Sequence, residues 1–248
     1  MAGHVGRLYQ PHRPEWLPTQ NMTGSSAPRS IRLYRYMHAP WALRTLETGE
    51  LRVSRLAELN DPFEFRPALP FVNPAFSHGT VDEFLGFLVR DFNPKMGIIC
   101  FSEEIADPVL WSHYADSHRG IALGFNVFRD DHLWPMIYPD ERPTFDVKNF
   151  PTMTQTEAME MVRRILAAKA PSWRYEKEYR VFVDLASSRT DETNYFHRIP
   201  PDCLVQVVLG IDCKVTEDEV RAALHAGGHK GVSVVRARRC LTRFRVLC

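Results

Sequence analysis

Segments with the residue pattern of strands and segments with that of helices follow one another along this chain without a regular strand–helix–strand alternation. The strand-like runs are rich in β-branched and aromatic residues and cover residues 31–36, 51–54, 97–102, 120–125, 178–183, 204–209, 232–235 and 241–247. Apolar residues recur at helical spacing in residues 42–47, 80–91, 107–117, 154–169 and 216–226. Because a doubly wound sheet requires that alternation, the pattern predicts an α+β protein.

The length and composition of the chain predict one globular domain with a short appendage. It has 248 residues, of which 44% are hydrophobic and 25% charged, and this is sufficient for a full core. Residues 1–30 combine Pro, His, Gly, Ser and Asn without periodicity, so we expect a flexible N-terminal arm there. Residues 31–248 are expected to form a single α+β domain.

Local signals mark the ends of several predicted helices. Gly49 follows the first helix, at the position where a left-handed residue ends many helices. Asp107 precedes Pro108, which is the order of an N-cap and a first helical residue. Thr216 and Glu219 have the spacing of a capping box.

Charge and hydropathy exclude several classes of protein. The formal net charge of +1 gives no overall attraction to nucleic acid or to an anionic membrane. No apolar run approaches the roughly 20 residues that span a bilayer, and the first residues lack the apolar stretch of a secretion signal. The five cysteines form no Cys-x-x-Cys pair, which is typical of reduced thiols. We therefore expect a cytoplasmic protein without a membrane partner.

Four unusual strings occur along the chain in a definite order. They are LYRY (33–36), LNDPFEF (59–65), CFSEEIADPVLWSHYADSHRGIALGF (100–125) and WRYEKEYRVF (173–182). This set resembles the bacterial and phage family known as domain of unknown function 2971, over nearly the whole chain from residue 31 onward. The family name states no function.

A more distant resemblance is to the ADP-ribosyltransferases. These enzymes have a split mixed sheet with three motif strands: the first carries His or Arg, the second ends at Ser or Tyr, and the third opens with Glu. LYRY resembles the first strand, GIICFSEE followed by LWSHY resembles the second block, and EYRVF resembles the third strand. The resemblance implies a mixed split sheet with flanking helices, NAD as the substrate and no metal cofactor.

The resemblance also implies seven site residues. The two catalytic residues are Glu178 and Glu176. The five NAD-binding residues are Arg35, Tyr36, Ser102, Trp111 and Tyr114. Arg35, or alternatively Tyr36, takes the His/Arg position, where a guanidinium would bind pyrophosphate or ribose. Tyr114, with Trp111 as a neighbour, would stack on the nicotinamide. Ser102 would support Glu178 from the adjacent strand.

The reaction requires a carboxylate at the third motif strand. Cleavage of the nicotinamide–ribose bond passes through an oxocarbenium-like state, as glycosyl transfer does, and Glu178 at the ribose hydroxyl would stabilise its positive charge. Glu176 lies two residues earlier, so on a strand both side chains share one face. Paired carboxylates repel, which raises one pKa and suits a group that must accept a proton. We expect Glu176 nearer the cleft mouth, where it handles the acceptor.

Glu178 and the aromatic residues also have ordinary structural interpretations. Glu178 could pair with Arg180 or Lys177 on an exposed strand face. Tyr114 and Trp111 lie on a predicted amphipathic helix, where aromatic residues usually belong to the core.

Similar interpretations apply to the remaining residues of the four strings. Arg35 could be a surface cation, and Ser102 could make a local backbone bond at a strand end. Asn60-Asp61-Pro62 has the sequence of an Asx turn, at the start of a proline-rich loop predicted over residues 60–74. That loop could still form one wall of a ligand cleft.

Other catalytic motifs are not found in the sequence. His113 and His118 are five residues apart and do not share a helical face, as the zinc-binding pair of an HExxH motif does. No glycine-rich nucleotide loop and no G-x-S-x-G motif occurs. The basic segment from Arg236 to Arg245 alternates with apolar residues, which predicts a strand pair with a solvated face that a nucleic-acid acceptor could contact.

Three hypotheses follow. The first is an NAD-consuming ADP-ribosyltransferase or NAD glycohydrolase, with a protein or nucleic acid as the acceptor. The second is a catalytically silent domain of the same fold that recognises a nucleotide, RNA or protein. The third, a nuclease or other hydrolase, requires a metal-ligand cluster that the sequence does not show. The first requires Glu178, Tyr114 and Arg35 to converge in one cleft.

Overall fold

A computed structural model of the chain describes residues 30–68, 93–129, 132–145, 149, 152–191, 193–200 and 202–248. Within these residues it has four α-helices: α1 (Ala39–Thr48), α2 (Pro108–Tyr114), α3 (Gln155–Leu166) and α4 (Glu217–Ala226). Short 3-10 helices cover Leu56–Glu58, Pro171–Glu176 and Leu185–Ser187. No helix in this part of the chain is long and apolar enough to cross a membrane.

The described residues form twelve strands: β1 (Ser30–Met37), β2 (Glu50–Arg55), β3 (Met96–Ser102), β4 (Ile121–Phe128), β5 (Leu133–Pro135), β6 (Glu178–Asp184), β7 (Arg189–Asp191), β8 (Asn194–Arg198), β9 (Leu204–Leu209), β10 (Ser233–Arg236), β11 (Arg238–Arg239) and β12 (Val246–Leu247). Ten of them form one sheet, whose main path runs β10-β9-β4-β1-β3-β2-β8-β7, with β6 paired to β3 and β5 to β6. Among these strand pairs, β9 and β10 are parallel and the others antiparallel. The α+β prediction is therefore confirmed, with a mixed and mostly antiparallel sheet.

The sheet opens along one edge of β3. The strand β6 pairs with β3 along its whole length, from Met96 to Ser102. On the opposite edge, β1 meets β3 only at Tyr34, opposite Ser102, and β2 meets it only at the other end, opposite Ile98 and Gly97. The middle of that edge pairs with neither strand, so a gap separates β1 from β2.

Buried residues cover both faces of the sheet. Leu123 and Val207 point to one face, where they belong to the same cluster as residues of α1 and α4. Ala122 and Val208 point to the other face and pack against Trp111 of α2. Because neighbouring residues of a strand point to opposite faces, one strand such as β4 contributes to both layers of the core.

Three predicted helix ends are confirmed. Gly49 has a φ of 69° and follows α1 in the left-handed conformation. The Asp107 side chain accepts a hydrogen bond of 2.7 Å from the backbone N–H of Val109, as an N-cap does. Thr216 and Glu219 form a reciprocal capping box at the start of α4.

Helix α2 ends three residues before the predicted boundary. Asp116, Ser117 and His118 have φ values of 48°, 50° and 68°. This left-handed conformation disfavours L-residues and cannot continue a right-handed helix. Gly120 and Gly210 allow the turn to pack closely, because a Cβ on Gly210 would collide with the His118 carbonyl oxygen.

The prediction of a strand over residues 241–247 is wrong for most of that range. Only Val246–Leu247 is a strand, and it pairs with Arg238–Arg239 rather than with the large sheet. Helix α1 begins three residues before the predicted position, since Pro40 fits the first turn of a helix. The short strands β5, β7 and β8 are not predicted, because runs of three to five residues give little periodicity.

Several predicted features lie outside the described residues. They are the N-terminal arm (1–30) apart from Ser30, the helix at 80–91, and the part of the 60–74 loop that follows residue 68. Ser30 itself begins β1.

Candidate functional site

A cleft of about 280 Å³ lies at the gap along the edge of β3. Six of the seven predicted site residues line it: Arg35, Tyr36, Ser102, Tyr114, Glu176 and Glu178. These residues come from β1, β3, α2, the 3-10 helix at Pro171–Glu176 and β6. The structure therefore brings together side chains that are far apart in the sequence.

A second opening of about 380 Å³ adjoins this cleft, and the two share Arg35, Tyr36 and Tyr114. The second opening is also lined by His38 and Arg52, and none of its described lining residues is acidic. The combined concavity thus has carboxylates at one end and two arginines at the other, of which Arg52 pairs with Glu58 at 3.0 Å.

Arg35 lies in the gap between β1 and β2. Its guanidinium donates to the backbone carbonyl of Arg52 at 2.7 Å and to that of Cys100 at 3.5 Å. Burial lowers the pKa of Arg35 to about 10, so the group stays charged at neutral pH. Within the described part of the chain no acidic side chain pairs with it. A half-buried cation without a carboxylate partner favours an anionic ligand.

Five charged side chains form a buried cluster under the cleft, each at most 6% exposed: Glu64, Lys169, Glu176, Glu178 and Arg180. The Lys169 ammonium lies 2.5 Å from Glu176 and 3.1 Å from Glu178. It also lies 3.5 Å from Glu64. Three carboxylates therefore surround one lysine.

Arg180 is the second cation of this buried cluster. Its Nε and Nη2 donate to the two carboxyl oxygens of Glu178, at 2.6 and 3.0 Å. Its Nη1 lies 2.7 Å from Glu64, an ionic contact that lacks the geometry of a hydrogen bond. With all groups ionised, three negative charges face two positive charges.

The two glutamates that line the cleft have opposite pKa shifts. Burial favours the neutral form of Glu178, but the charges of Arg180 and Lys169 outweigh it and lower the pKa of Glu178 to about 2. Burial raises the pKa of Glu176 above its ordinary value, an effect that the Lys169 charge only partly offsets. Glu178 is thus held as the anion, while Glu176 is the carboxylate that gains a proton more readily.

Tyr114 connects Glu176 to the loop that follows β2. Its hydroxyl donates to the Glu176 carboxylate at 2.5 Å and accepts from the Asn60 side-chain amide at 2.8 Å. Asp61 accepts from the backbone N–H of Phe63 at 2.9 Å, which confirms the predicted Asx turn. Asn60 lines the cleft, so this loop also forms one of its walls.

Ser102 supports Glu176 rather than Glu178. Ser102 and Glu178 face each other in register across β3 and β6. The Ser102 hydroxyl nevertheless donates to the backbone carbonyl of Glu176 and accepts from the Glu104 N–H at 3.0 Å. The prediction that Ser102 supports Glu178 is therefore wrong.

The prediction that Glu176 and Glu178 share one face of a strand is also wrong. Glu176 ends a 3-10 helix, Glu178 opens β6, and Lys177 between them is left-handed with a φ of 44°. The two carboxyl groups converge on Lys169 through this turn of the backbone. Their residues are 3% and 5% exposed, so the structure does not place Glu176 nearer the cleft mouth.

Trp111 is the predicted site residue that does not reach the cleft. It is fully buried in the core, and its indole N–H donates to the Ile105 carbonyl at 2.7 Å. The Tyr36 ring packs edge-on against it, with ring centroids 5.1 Å apart. Tyr36 lines the cleft, but its hydroxyl is occupied by the Glu104 carbonyl at 2.7 Å.

Lys169, Arg180 and Glu64 complete the site, and none of them is among the predicted site residues. The alternative in which Glu178 pairs with Arg180 on an exposed strand face is half right: the pair exists, but it is buried. The sequence feature that indicates this pair is the placement of two opposite charges at alternate positions of an otherwise apolar strand. Lys169 follows α3 in a segment without a distinctive pattern, so only the folded chain identifies it.

The two histidines that suggest a metal lie in different surroundings. His113 is exposed, with Nδ1 3.1 Å from the Tyr175 hydroxyl. His118 stacks on Trp111 at a centroid distance of 6.4 Å. Across the residues that the structure describes, no group of three or more His, Cys, Asp or Glu side chains could hold a metal ion.

Comparison with known proteins gives one match. Residues 110–181 match the family model described as "Protein of unknown function (DUF2971)". This range contains Trp111, Tyr114, Lys169, Glu176 and Glu178, so it supports the resemblance to that family where most of the site lies. No curated protein and no solved structure gives a significant match to the chain.

We expect acid to destabilise the fold through Glu178. The pKa of an unfolded glutamate is about 4.3, whereas the pKa of Glu178 in the folded protein is about 2. The stabilisation by this carboxylate is present above the unfolded value and is lost as the pH falls through the folded one, a total of about 3 kcal/mol. Denaturant unfolding at a series of pH values should show this loss in the native protein.

Glu178→Gln removes the titrating group, so its free energy of unfolding should vary less between about pH 4.5 and pH 2. Glu160→Gln is a matched control, because Glu160 is an exposed residue of α3, and it should follow the native protein. The charge of Glu178 contributes to the raised pKa of Glu176, so the comparison is repeated with Glu176→Gln present in both proteins, where Glu176 no longer titrates. Parallel pH curves for Glu178→Gln and the native protein would contradict the assignment.

Proposed function

We propose that this protein cleaves the nicotinamide–ribose bond of NAD and transfers ADP-ribose to a macromolecular acceptor, or to water as an NAD glycohydrolase. One observation carries the proposal: the buried carboxylates Glu176 and Glu178 line the same cleft as Arg35, which pairs with no acidic side chain among the residues that the structure describes. A dinucleotide needs both, because its phosphates are anionic and its scissile bond develops positive charge.

The charge of the buried cluster suits that transition state. Three carboxylates against two cations leave one excess negative charge when all are ionised. In a site shielded from water, such a charge interacts strongly with an oxocarbenium-like ribose. The side chains are already held by ion pairs, so little reorganisation is required during the reaction.

The opposite pKa shifts suggest a division of roles. Glu178 is anionic over the physiological pH range and would face the ribose. Glu176, whose pKa is raised by burial, would accept the proton of the acceptor or of the attacking water. Tyr114 and Lys169 contact the Glu176 carboxylate and would hold it in position.

The opening next to the cleft, which Arg35 and Arg52 line, suits the diphosphate of NAD. Arg35 belongs to both cavities, and its fork of N–H donors matches phosphate oxygens. The nicotinamide would then lie beside Tyr114, within reach of the carboxylates. The gap between β1 and β2 is compatible with the split sheet that the resemblance to ADP-ribosyltransferases implies.

A second function is supported by the surroundings of Glu178. Its two oxygens receive bonds from Arg180 and Lys169, and this pairing reduces the charge available to a ligand. The second function is that of a catalytically silent domain, which recognises a nucleotide, RNA or protein through the same cleft. In such a domain Glu178 would have only this structural role. The two functions differ in whether bound NAD is cleaved.

The direct test measures the release of nicotinamide from NAD by chromatography of the reaction mixture. The native protein should release nicotinamide, and Glu178→Gln should abolish release, because the charge at the ribose is lost from the transition state. Glu160→Gln, on the exposed side of α3, should retain full activity. NAD binding without release by the native protein would favour the silent domain instead.

Loss of one partner from a buried ion cluster can itself destabilise a protein, by roughly 3–5 kcal/mol. Circular dichroism and thermal unfolding must therefore show that Glu178→Gln is folded at the assay temperature. Full activity in folded Glu178→Gln would exclude the mechanism.

Glu176→Gln should separate the two half-reactions. We expect slow release of nicotinamide to persist, with water replacing the acceptor, while transfer of label from NAD to a macromolecule falls sharply. The assay follows labelled NAD and measures both products from the same reaction. Equal loss of both would mean that Glu176 acts on Glu178 through their shared lysine rather than on the acceptor.

Tyr114 provides a test of the stacking role. Tyr114→Ala should weaken NAD binding by about 1–3 kcal/mol through loss of the ring contact. Tyr114→Phe keeps the ring and removes only the hydroxyl that binds Glu176 and Asn60, so most of the affinity should remain. Isothermal titration calorimetry on folded variants measures both. Unchanged affinity of Tyr114→Ala for NAD would show that Tyr114 has a purely structural role.

A further inference from the structure

The last part of the chain is strongly and uniformly basic. After Glu219 it contains seven Lys and Arg residues and no Asp or Glu. Four of these are arginines of one short hairpin, residues 238–247, in which β11 pairs with β12. The overall net charge is only +1, so this hairpin is a local concentration of positive charge on an otherwise balanced protein.

The four arginine side chains of this arginine hairpin (residues 238–247) are exposed to solvent. Leu241 and Phe244, in the loop between its strands, are 98% and 102% exposed. Arg243 and Arg245 are exposed beside them. Among the described residues, Arg239 approaches Asp212 at 3.6 Å, with both groups exposed, and the charge of Arg245 acts on Glu104. A fully exposed phenylalanine among arginines is a costly surface unless something covers it.

The arginine hairpin is attached firmly to the rim of the cleft. Val246 is 3% exposed and packs in the cluster that contains Trp111. Its backbone N–H donates to the Ala106 carbonyl at 2.8 Å. Ala106 ends the short loop that follows Ser102, and Ser102 lines the cleft. The arginine hairpin is therefore anchored to the loop that follows a residue of the cleft, and the charge of Arg245 acts on Glu104 of that loop.

We infer that the arginine hairpin binds single-stranded nucleic acid and presents it to the cleft as the acceptor. Guanidinium groups bind phosphates in a bidentate manner, and an exposed ring such as Phe244 stacks on any base. A single strand can direct one base into the cleft beside the hairpin, whereas a membrane surface or a folded acidic protein cannot. The acceptor role rests on the proposed ADP-ribosyl transfer; the binding itself does not.

Fluorescence anisotropy of a labelled oligodeoxythymidylate with the full chain tests the binding. Arg243→Gln/Arg245→Gln should weaken it, and the slope of log K against log salt should decrease by about 1.4, since each phosphate contact on a single strand contributes about 0.7. Arg164→Gln/Arg221→Gln is the control that removes the same number of charges, because both arginines are exposed helix residues outside the hairpin, in α3 and α4. An equal loss for this control would show only a nonspecific charge effect and would overturn the inference.

Phe244 and Leu241 distinguish nucleic acid from a membrane. Phe244→Ala should weaken oligonucleotide binding roughly fivefold to a hundredfold through lost stacking, while Leu241→Ala should have little effect. Both residues are fully exposed, so neither change disturbs the core. Equal losses for both variants, together with sedimentation of the protein on phosphatidylglycerol vesicles, would identify a membrane site and overturn the inference.

The binding assay needs no NAD, and nicotinamide release needs no oligonucleotide. Failure of oligonucleotide binding with normal nicotinamide release would therefore reject the hairpin site alone. Binding without nicotinamide release would reject the proposed catalysis and leave the site in place. With both present, label from NAD should appear on the oligonucleotide, and the double arginine variant should lose that transfer while keeping nicotinamide release.

Discussion

Lys169 is the side chain on which the buried site depends. Its ammonium group, with almost no access to water, is surrounded by three carboxylates from the loop after β2, the 3-10 helix before β6 and β6 itself. Each of these charges would be costly to bury alone, and together they offset most of that cost. Segments that are distant in the sequence are thus held together by one cation, and the carboxylates keep fixed positions before any ligand binds.

The cleft above this cluster originates in the sheet rather than in the loops. Because β1 and β2 pair with only the two ends of one edge of β3, free backbone carbonyls remain between them. Arg35 of β1 bridges this gap, because its guanidinium donates to the backbone carbonyls of Cys100 in β3 and Arg52 in β2. The same residue therefore provides hydrogen bonds to carbonyls at the gap in the sheet and leaves a positive charge facing the cavity. The gap in the sheet and the proposed anion site thus have a common cause.

Much of this fold could be predicted from local patterns. The strands at β1, β3, β4, β6 and β9 have apolar, β-branched sequences, and the helix ends at Gly49 and Thr216 follow backbone chemistry that depends on a few neighbouring residues. The resemblance of short strings predicts six of the residues that line the cleft. It does not predict Lys169, because a lysine acquires its role only when distant carboxylates surround it. The environment of Trp111 likewise depends on packing across the sheet, which helical spacing alone does not determine.

The left-handed backbone at Lys177 has a consequence for how this sequence can vary. In an ordinary strand, Glu176 and Glu178 would be held at a fixed separation along one face. Here a single residue in the left-handed conformation directs both carboxylates toward the Lys169 ammonium. Glycine and asparagine adopt that conformation readily, but valine and isoleucine do so only at high cost. Homologues that keep the site should therefore vary at this position within a narrow set of residue types. They should never gain or lose a residue between the two glutamates, although the Lys177 side chain itself points to solvent.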